Sequence, residues 1–193
     1  MATKLGLVTA RLHLRPCARN DLEALHRLWT LPDVRLFLWD NREISRSSAE
    51  QVIESSLVSF ERSGYGLWII RRLDQPAIIG FAGLRRLPAD GDPELLYGLD
   101  PDHWRKGFAT EGARAVLRFG FEPAGLERIR AATDVPNTRS VAVLERLGMN
   151  FEKREMANGF ELVRYVLARM DFRPERTLYR ASGIGFKLEE GTS

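Results

Sequence analysis

The sequence predicts an α/β protein: one mixed β-sheet of about seven strands with helices on both faces. Three observations carry this. Strand and helix patterns follow one another in the order β-α-α-β-β-β-α-β-α-β-β, which calls for a sheet covered by crossover helices. The middle of the chain holds three apolar runs of strand length separated by turn residues. With 44% hydrophobic and 28% charged residues, 193 positions can build one sizeable core beneath a soluble surface. The same composition excludes a disordered chain, which buries too little apolar surface to offset its ordering entropy. Sixteen glycines exclude collagen. No apolar run approaches the ~20 residues that span a bilayer.

Taken in order, Leu12, Leu14 and Pro16 alternate with polar neighbours as a first strand. A helix follows, with Asn20 expected as N-cap, Glu23 closing a capping box, and Leu22, Leu25 and Trp29 on one face. Pro32 ends it, and 33–39 is expected to form a turn or short helix. Ser47 and Glu50 suggest a second capping box before Ile53, Leu57 and Phe60 at helical spacing, broken by Gly64 and Gly66. The apolar runs 67–70, 77–84 and 94–99 read as strands, separated by Asp74-Gln75-Pro76 and by 89–93. Ala109, Ala113, Val116 and Gly120 share a helical face. Residues 128–133 read as a strand, and 137–147 as a helix closed by Gly148. Finally 151–156 and 160–168 flank Asn158-Gly159, a strong hairpin signal. The domain is expected to end near 172, with 173–193 a loosely held tail.

Charge points to no particular partner. The net charge is +3, and basic and acidic residues are interspersed without a five-residue basic block, so no nucleic-acid surface is expected. The start of the chain has one lysine and no apolar stretch of signal-peptide length. The single cysteine, Cys17, permits no internal disulfide. A cytoplasmic domain with no membrane partner is the expectation, as monomer or homodimer. Three isolated histidines and one cysteine offer no zinc spacing, so no metal site is expected.

The chemically informative stretch is Leu99-Asp-Pro-Asp-His-Trp-Arg-Lys-Gly-Phe-Ala-Thr-Glu111. An apolar strand enters a loop with two adjacent cations and a glycine, and the loop opens directly into a helix. Unpaired N–H groups at a helix N-terminus carry partial positive charge and can cradle a phosphate. Gly107 would let the backbone approach the anion, while Arg105 and Lys106 would add charge-assisted contacts. The same residues also suit a plain strand-to-helix turn, and both readings stay open. Neither the Walker A spacing nor the dinucleotide fingerprint occurs.

The segment resembles the GNAT acetyltransferases, whose acetyl-CoA loop follows a [Q/R]-x-x-G-x-[G/A] pattern, here Trp104-Arg-Lys-Gly107-Phe-Ala109. The longer string Glu94-Leu-Leu-Tyr-Gly-Leu-Asp-Pro-Asp-His-Trp-Arg-Lys-Gly-Phe-Ala-Thr-Glu111 is similar to the RimJ/RimL-type protein N-acetyltransferases. So are Asn137-Thr-Arg-Ser140 and Leu144-Glu-Arg-Leu-Gly-Met149. The likeness runs from about Thr9 to Phe172.

The resemblance implies a GNAT domain over 1–172 with two splayed parallel strands, 94–99 and 128–133, the fourth and fifth of the seven. Pantetheine would fill the wedge between them. Backbone groups near Leu99 would bond its amides. Amides of Arg105, Lys106, Gly107, Phe108, Ala109 and Thr110 would hold the pyrophosphate, with Trp104 also among the cofactor-binding residues. Asn137 would touch the cofactor, or cap the following helix, or both. Leu144 stands where many GNAT enzymes place a tyrosine acid, and the resemblance to the RimJ/RimL branch implies Ser140 as the proton donor in its stead. Leu96 replaces a frequent glycine, which bears on whether its strand bulges.

Acetyl transfer needs a neutral amine, an oxyanion donor and a proton for the departing thiolate. A lysine amine has a pKa of ~10.4 and a protein N-terminus ~7.7–8.0, so the latter is far easier to deprotonate. Glu94 is the expected base, against the alternative of a surface charge at the strand's start. His103 could assist proton transfer. Cys17 and His26 read as packing residues, and Trp39 and Trp68 as either core or acceptor pocket. The implied function is acetyl-CoA-dependent N-acetylation, without a metal, of a primary amine, a protein N-terminus leading. The alternatives are a small-molecule amine acceptor such as an amino acid, polyamine or aminoglycoside, or a CoA-binding module without turnover.

Overall fold

The structure, a computed structural model, describes residues 5–86, 91–157, 159–174 and 179–183. Among them, nine strands form one sheet in the order β7-β8-β6-β5-β4-β3-β2-β1-β9. The strands are β1 (Gly6–Thr9), β2 (Leu12–Pro16), β3 (Leu67–Arg72), β4 (Ile78–Arg86), β5 (Pro93–Leu99), β6 (Arg128–Asp134), β7 (Asn150–Ala157), β8 (Phe160–Ala168) and β9 (Tyr179–Ser182). The helices are α1 (Leu22–Thr30), α2 (Pro32–Leu38), α3 (Arg46–Ser63), α4 (Phe108–Phe121) and α5 (Thr138–Arg146). Every neighbouring pair is antiparallel except β5 and β6, which run parallel.

The period-2 alternation of β3 shows why helices cover both faces. Trp68 and Ile70 join the core beneath α4 and α5, with Ile79, Leu95, Val116, Phe119, Ile129 and Leu144. Leu67 and Ile69 turn to the opposite core, with Leu25 and Trp29 of α1, Ile53 of α3 and Phe81. Full burial of one such side chain contributes roughly 1.5–3 kcal/mol. Trp68 meets Phe60 and Phe119 edge-on at 5.3 and 5.0 Å, and Trp29 meets Trp39 and Phe81 at 5.8 and 5.9 Å. Both candidate pocket tryptophans therefore serve packing. Cys17 is also a core residue, donating through Sγ to Ser56 Oγ at 3.3 Å, and burial pushes its thiol up.

Several expectations are corrected. The sheet gains β1 and β9, both four-residue strands too short to show a period. The tail reading is corrected at Tyr179–Ser182, which pairs with β1 from Thr9↔Tyr179 to Gly6↔Ser182. Asn20 does not cap α1. Asp21 instead is buried there, taking two bonds from Arg15 (2.7 and 2.8 Å) and one from the Ala18 N–H (2.8 Å). A carboxylate that answers both an arginine and an orphan N–H wins over an exposed asparagine amide. The N-cap of α3 is Ser45, not Ser47: its Oγ accepts from the Ser48 N–H at 3.1 Å. Asn158 lies outside the described residues, but Ala157 pairs with Phe160, as a two-residue hairpin turn requires.

Near the start of β4 the backbone of Gly80 comes unusually close to the end of β5. A Cβ built on Gly80 would run into the Gly98 carbonyl oxygen and would sit 3.1 Å from Leu99 Cα. Backbone cannot swing aside as a side-chain tip can. Gly80→Ala should therefore destabilise the fold by ~1–3 kcal/mol, the usual cost of overpacking. Urea unfolding at constant m-value measures this; an unchanged midpoint would show that β5 yields without cost.

Candidate active site

β5 and β6 share one register pair, Glu94↔Arg130, among the described residues. Each is fully paired on its other side: β5 with β4 from Pro93 to Leu99, β6 with β8 from Arg128 to Asp134. Beyond Glu94 the two parallel strands diverge, and the backbone groups of their facing edges are left for another partner. A cavity of about 1000 Å³ opens beside this gap. That is at the upper end of pockets that hold small molecules, which suits an elongated ligand plus a second reactant.

The loop between β5 and α4 forms one wall. Gly107 stands at φ +79°, in the left-handed region, as the N-cap of α4. Arg105 is also left-handed at φ +59°, a conformation costing a non-glycine residue roughly 1 kcal/mol. These turns aim the loop at the first N–H groups of α4, which have no partner inside the helix. The positive end of the helix dipole lies at the same place.

Three contacts hold the loop. The Trp104 indole Nε1 donates to the Leu99 carbonyl at 2.8 Å, and the Arg139 guanidinium lies 4.7 Å over the indole. The Lys106 ammonium turns back to the Asp102 carbonyl at 2.8 Å. The third comes from the β1–β2 turn. Arg11 Nη1 donates to the Lys106 carbonyl (2.9 Å), its Nε donates to Glu111 Oε2 (2.7 Å), and its guanidinium covers the Phe108 ring at 4.5 Å. Glu111 Oε1 accepts from the Arg11 N–H (2.9 Å) and from Thr9 Oγ1 (2.6 Å). One carboxylate in the first turn of α4 thus fastens an edge hairpin to the loop.

Across the cavity stands the start of α5. Asn137 Oδ1 accepts from the Ser140 N–H at 3.2 Å, so the expected capping role is present. Tyr97 of β5 reaches this helix: its Oη lies 2.8 Å from Ser140 Oγ and 3.1 Å from the Ser140 carbonyl oxygen. Burial pushes the phenol well above its ordinary pKa. Leu144 is buried in the core, as an apolar residue in that place should be. The arginines 11, 105, 114, 118, 139 and 146 all line the cavity, against Asp33 and Glu111; Arg11 and Glu111 pair with each other, and Arg118 pairs with Glu122. The site suits a polyanion.

Of the sequence-predicted residues, Leu99, Trp104, Arg105, Gly107, Phe108, Ala109, Thr110, Asn137 and Ser140 lie together on the cavity wall, and His103 lies beside them. Lys106 is not on the wall. Glu94, expected as a base, is not on the wall either. β5 pairs with β4 without a register shift, so no bulge draws Glu94 toward Leu99, five residues on. Its buried carboxylate is held by Arg85 on β4, at 2.7 Å from Nη2 and 2.8 Å from Nε. The sequence reading missed Arg11 and Tyr97. Arg11 has no local signal; Tyr97 had one, since it shares a strand face with Leu95 and Leu99. No group of three or more metal-ligating side chains occurs among the described residues.

Comparison with known proteins agrees with this geometry. The family model described as an acetyltransferase (GNAT) domain matches residues 11–150. The uncharacterized N-acetyltransferase YoaA of Bacillus subtilis is 32% identical over 148 residues, covering 76% of this chain and 83% of that protein. The FsC-acetyl coenzyme A-N(2)-transacetylase of Aspergillus fumigatus is 29% identical, covering 74% of this chain and 64% of its own. Among solved structures, RimL, a ribosomal L7/L12 alpha-N-protein acetyltransferase in complex with coenzyme A, superposes with a TM-score of 0.70 at 21% identity. It covers 83% of this chain and 96% of its own.

The Arg11 network makes a local prediction. Arg11→Ala should speed amide exchange across 105–111 about tenfold, because hydrogen bonds to charged groups contribute ~1.5–3 kcal/mol and this arginine is half exposed. Exchange in β3 and β4 should not change. Hydrogen–deuterium exchange read by mass spectrometry checks it, and unchanged protection in the loop would sink the idea.

Proposed function

The chain belongs to the acetyltransferase (GNAT) family, and on that premise we propose that it carries acetyl from acetyl-CoA to a primary amine, a protein N-terminus first, by direct attack in a ternary complex. The observation that carries this reading is the pairing of an open β5/β6 wedge with a left-handed glycine at the N-terminus of α4. One holds an extended amide chain and the other an anion, and acetyl-CoA has both. The facing edge of β5 would bond the pantetheine amides. The N–H groups of 105–110 would receive the pyrophosphate, and the surrounding arginines its remaining charge.

Acetyl-CoA supplies an activated carbonyl; the chain must supply placement and protons. In this reading the amine attacks the thioester carbon and Ser140 gives a proton to the sulfur as the carbon–sulfur bond breaks. Glu94 has no part in it, since Arg85 holds it away from the cavity. An N-terminal amine needs no strong base, because an appreciable fraction is already neutral near pH 7. The likeness to RimL supports a protein N-terminus as acceptor. A small-molecule amine is the second reading, favoured by the relative whose name is that of an N(2)-transacetylase. The reading is of a cytoplasmic enzyme, drawing on acetyl-CoA in that compartment.

Two measurements test the reading. At 100 times its Kd, CoA stabilises by about 2.7 kcal/mol, so the melting temperature should rise by roughly 5–10 °C in a protein of this size. Gly107→Glu, which puts bulk and negative charge at a φ of +79°, should abolish that rise while the variant still unfolds cooperatively. Incubation with acetyl-CoA and a panel of a free-amine peptide, an amino acid and a polyamine, read by mass spectrometry, should show one class acetylated. Retention of the CoA shift in folded Gly107→Glu would refute the loop assignment; no acetylated product would refute catalysis.

A further inference from the structure

Tyr97 has no place in the reading above, yet it is the side chain that crosses the wedge. It leaves β5, the strand that forms one wall, and ends on Ser140, in the first turn of α5 on the other. Both residues line the cavity. A phenol has one proton, and here it has two oxygens to choose between. Given to the Ser140 carbonyl at 3.1 Å, that proton leaves Tyr97 Oη as an acceptor for the Ser140 hydroxyl, whose proton is then held by the tyrosine. Given to Ser140 Oγ at 2.8 Å, it occupies a serine lone pair and frees the serine proton to turn outward.

We propose that Tyr97 is the positioning residue for the Ser140 proton: its phenol donates to Ser140 Oγ and directs the serine O–H at the sulfur of the thioester. The proposal rests on the reading of Ser140 as proton donor. As the carbon–sulfur bond breaks, its electron pair stays on sulfur and the Ser140 proton moves there. The tyrosine proton moves toward Oγ, so that negative charge is shared with the phenol oxygen. The proton released by the attacking nitrogen returns through water and restores the pair. Amine and thioester become amide and thiol with nothing left over. The arrangement also accounts for Leu144. A hydroxyl from β5 serves the place where a helix side chain is apolar, and the leucine is free to pack. Burial keeps the phenol protonated, and so a donor, through the whole range in which amines are acetylated.

The test is a double-mutant cycle on the full chain, assayed with acetyl-CoA and the peptide, amino acid and polyamine panel, following CoA thiol release. Tyr97→Phe removes only the oxygen. It should lower kcat about tenfold or more, leave KM for acetyl-CoA and the CoA-induced melting shift within twofold of wild type, and raise the solvent isotope effect on kcat. Ser140→Ala should lower kcat at least as far, and adding Tyr97→Phe to it should cost nothing more. Ser140→Thr keeps the hydroxyl, and in that background Tyr97→Phe should again cost about tenfold. Should Ser140→Ala turn over like wild type, the serine reading falls and this one with it. Should Ser140→Ala be slow while Tyr97→Phe is normal, or should the two losses multiply, the serine reading stands and this proposal alone is overturned. A loss in Tyr97→Phe that appears in KM and melting temperature, with kcat unchanged, would make the phenol a structural strut and overturn it as well.

Discussion

The constraint on which the rest depends is the parallel pairing of β5 with β6. Antiparallel neighbours can be joined by a hairpin and zipped to their ends, as β1 is to β2 and β3 to β4. A parallel pair must be joined by a crossover, here the loop after Leu99 and α4. The crossover puts a helix N-terminus at the carboxyl end of β5, which is where the strands separate. Gap and positive helix end therefore come together from one topological choice. The arginine-rich lining belongs to the same place, since these side chains border the cavity beside the gap.

Holding the gap open requires anchorage on both sides. On one side Glu111 ties the β1–β2 turn to α4, so a hairpin near one edge of the sheet steadies a loop that is remote from it in sequence. On the other, the Asn137 cap fixes the first turn of α5 and thereby Ser140. Trp104 joins the two systems: its indole bonds the end of β5, and its face carries Arg139 of α5. A site built this way is rigid where it must present backbone amides. It needs no large loop of its own.

Local pattern made much of this legible in the sequence. Apolar runs and turn signals placed β2 to β8, and the Arg-Lys-Gly loop opening a helix marked one wall of the cavity, because a glycine and a helix start are both local signals. What could not be read was whatever depends on contacts distant in sequence. Arg11 finds Glu111 a hundred residues away, and nothing near either residue announces it. Glu94 lies on the strand that runs to the cavity, but its carboxylate is paired with Arg85 on the adjacent strand and no bulge moves it toward Leu99. Asp21 displaced Asn20 as the polar group at the start of α1 because Arg15, on β2, lay within reach. Each difference is a long-range or cross-strand partner overriding a short-range rule.

The pairing of β9 on β1 has a consequence for the order in which the molecule is made. Gly6 meets Ser182, 176 positions later, so the outer edge of β1 stays bare through nearly all of synthesis. An unpaired edge is a template for any passing strand, and loops this long are slow to close. Of the contacts described, this is among the last the growing chain can make, and it falls beside the hairpin that carries Arg11. A nascent chain paused before residue 179 would thus hold a nearly complete sheet with one sticky side. Protection against association in that interval must come from a chaperone, from speed, or from the brevity of a four-residue edge.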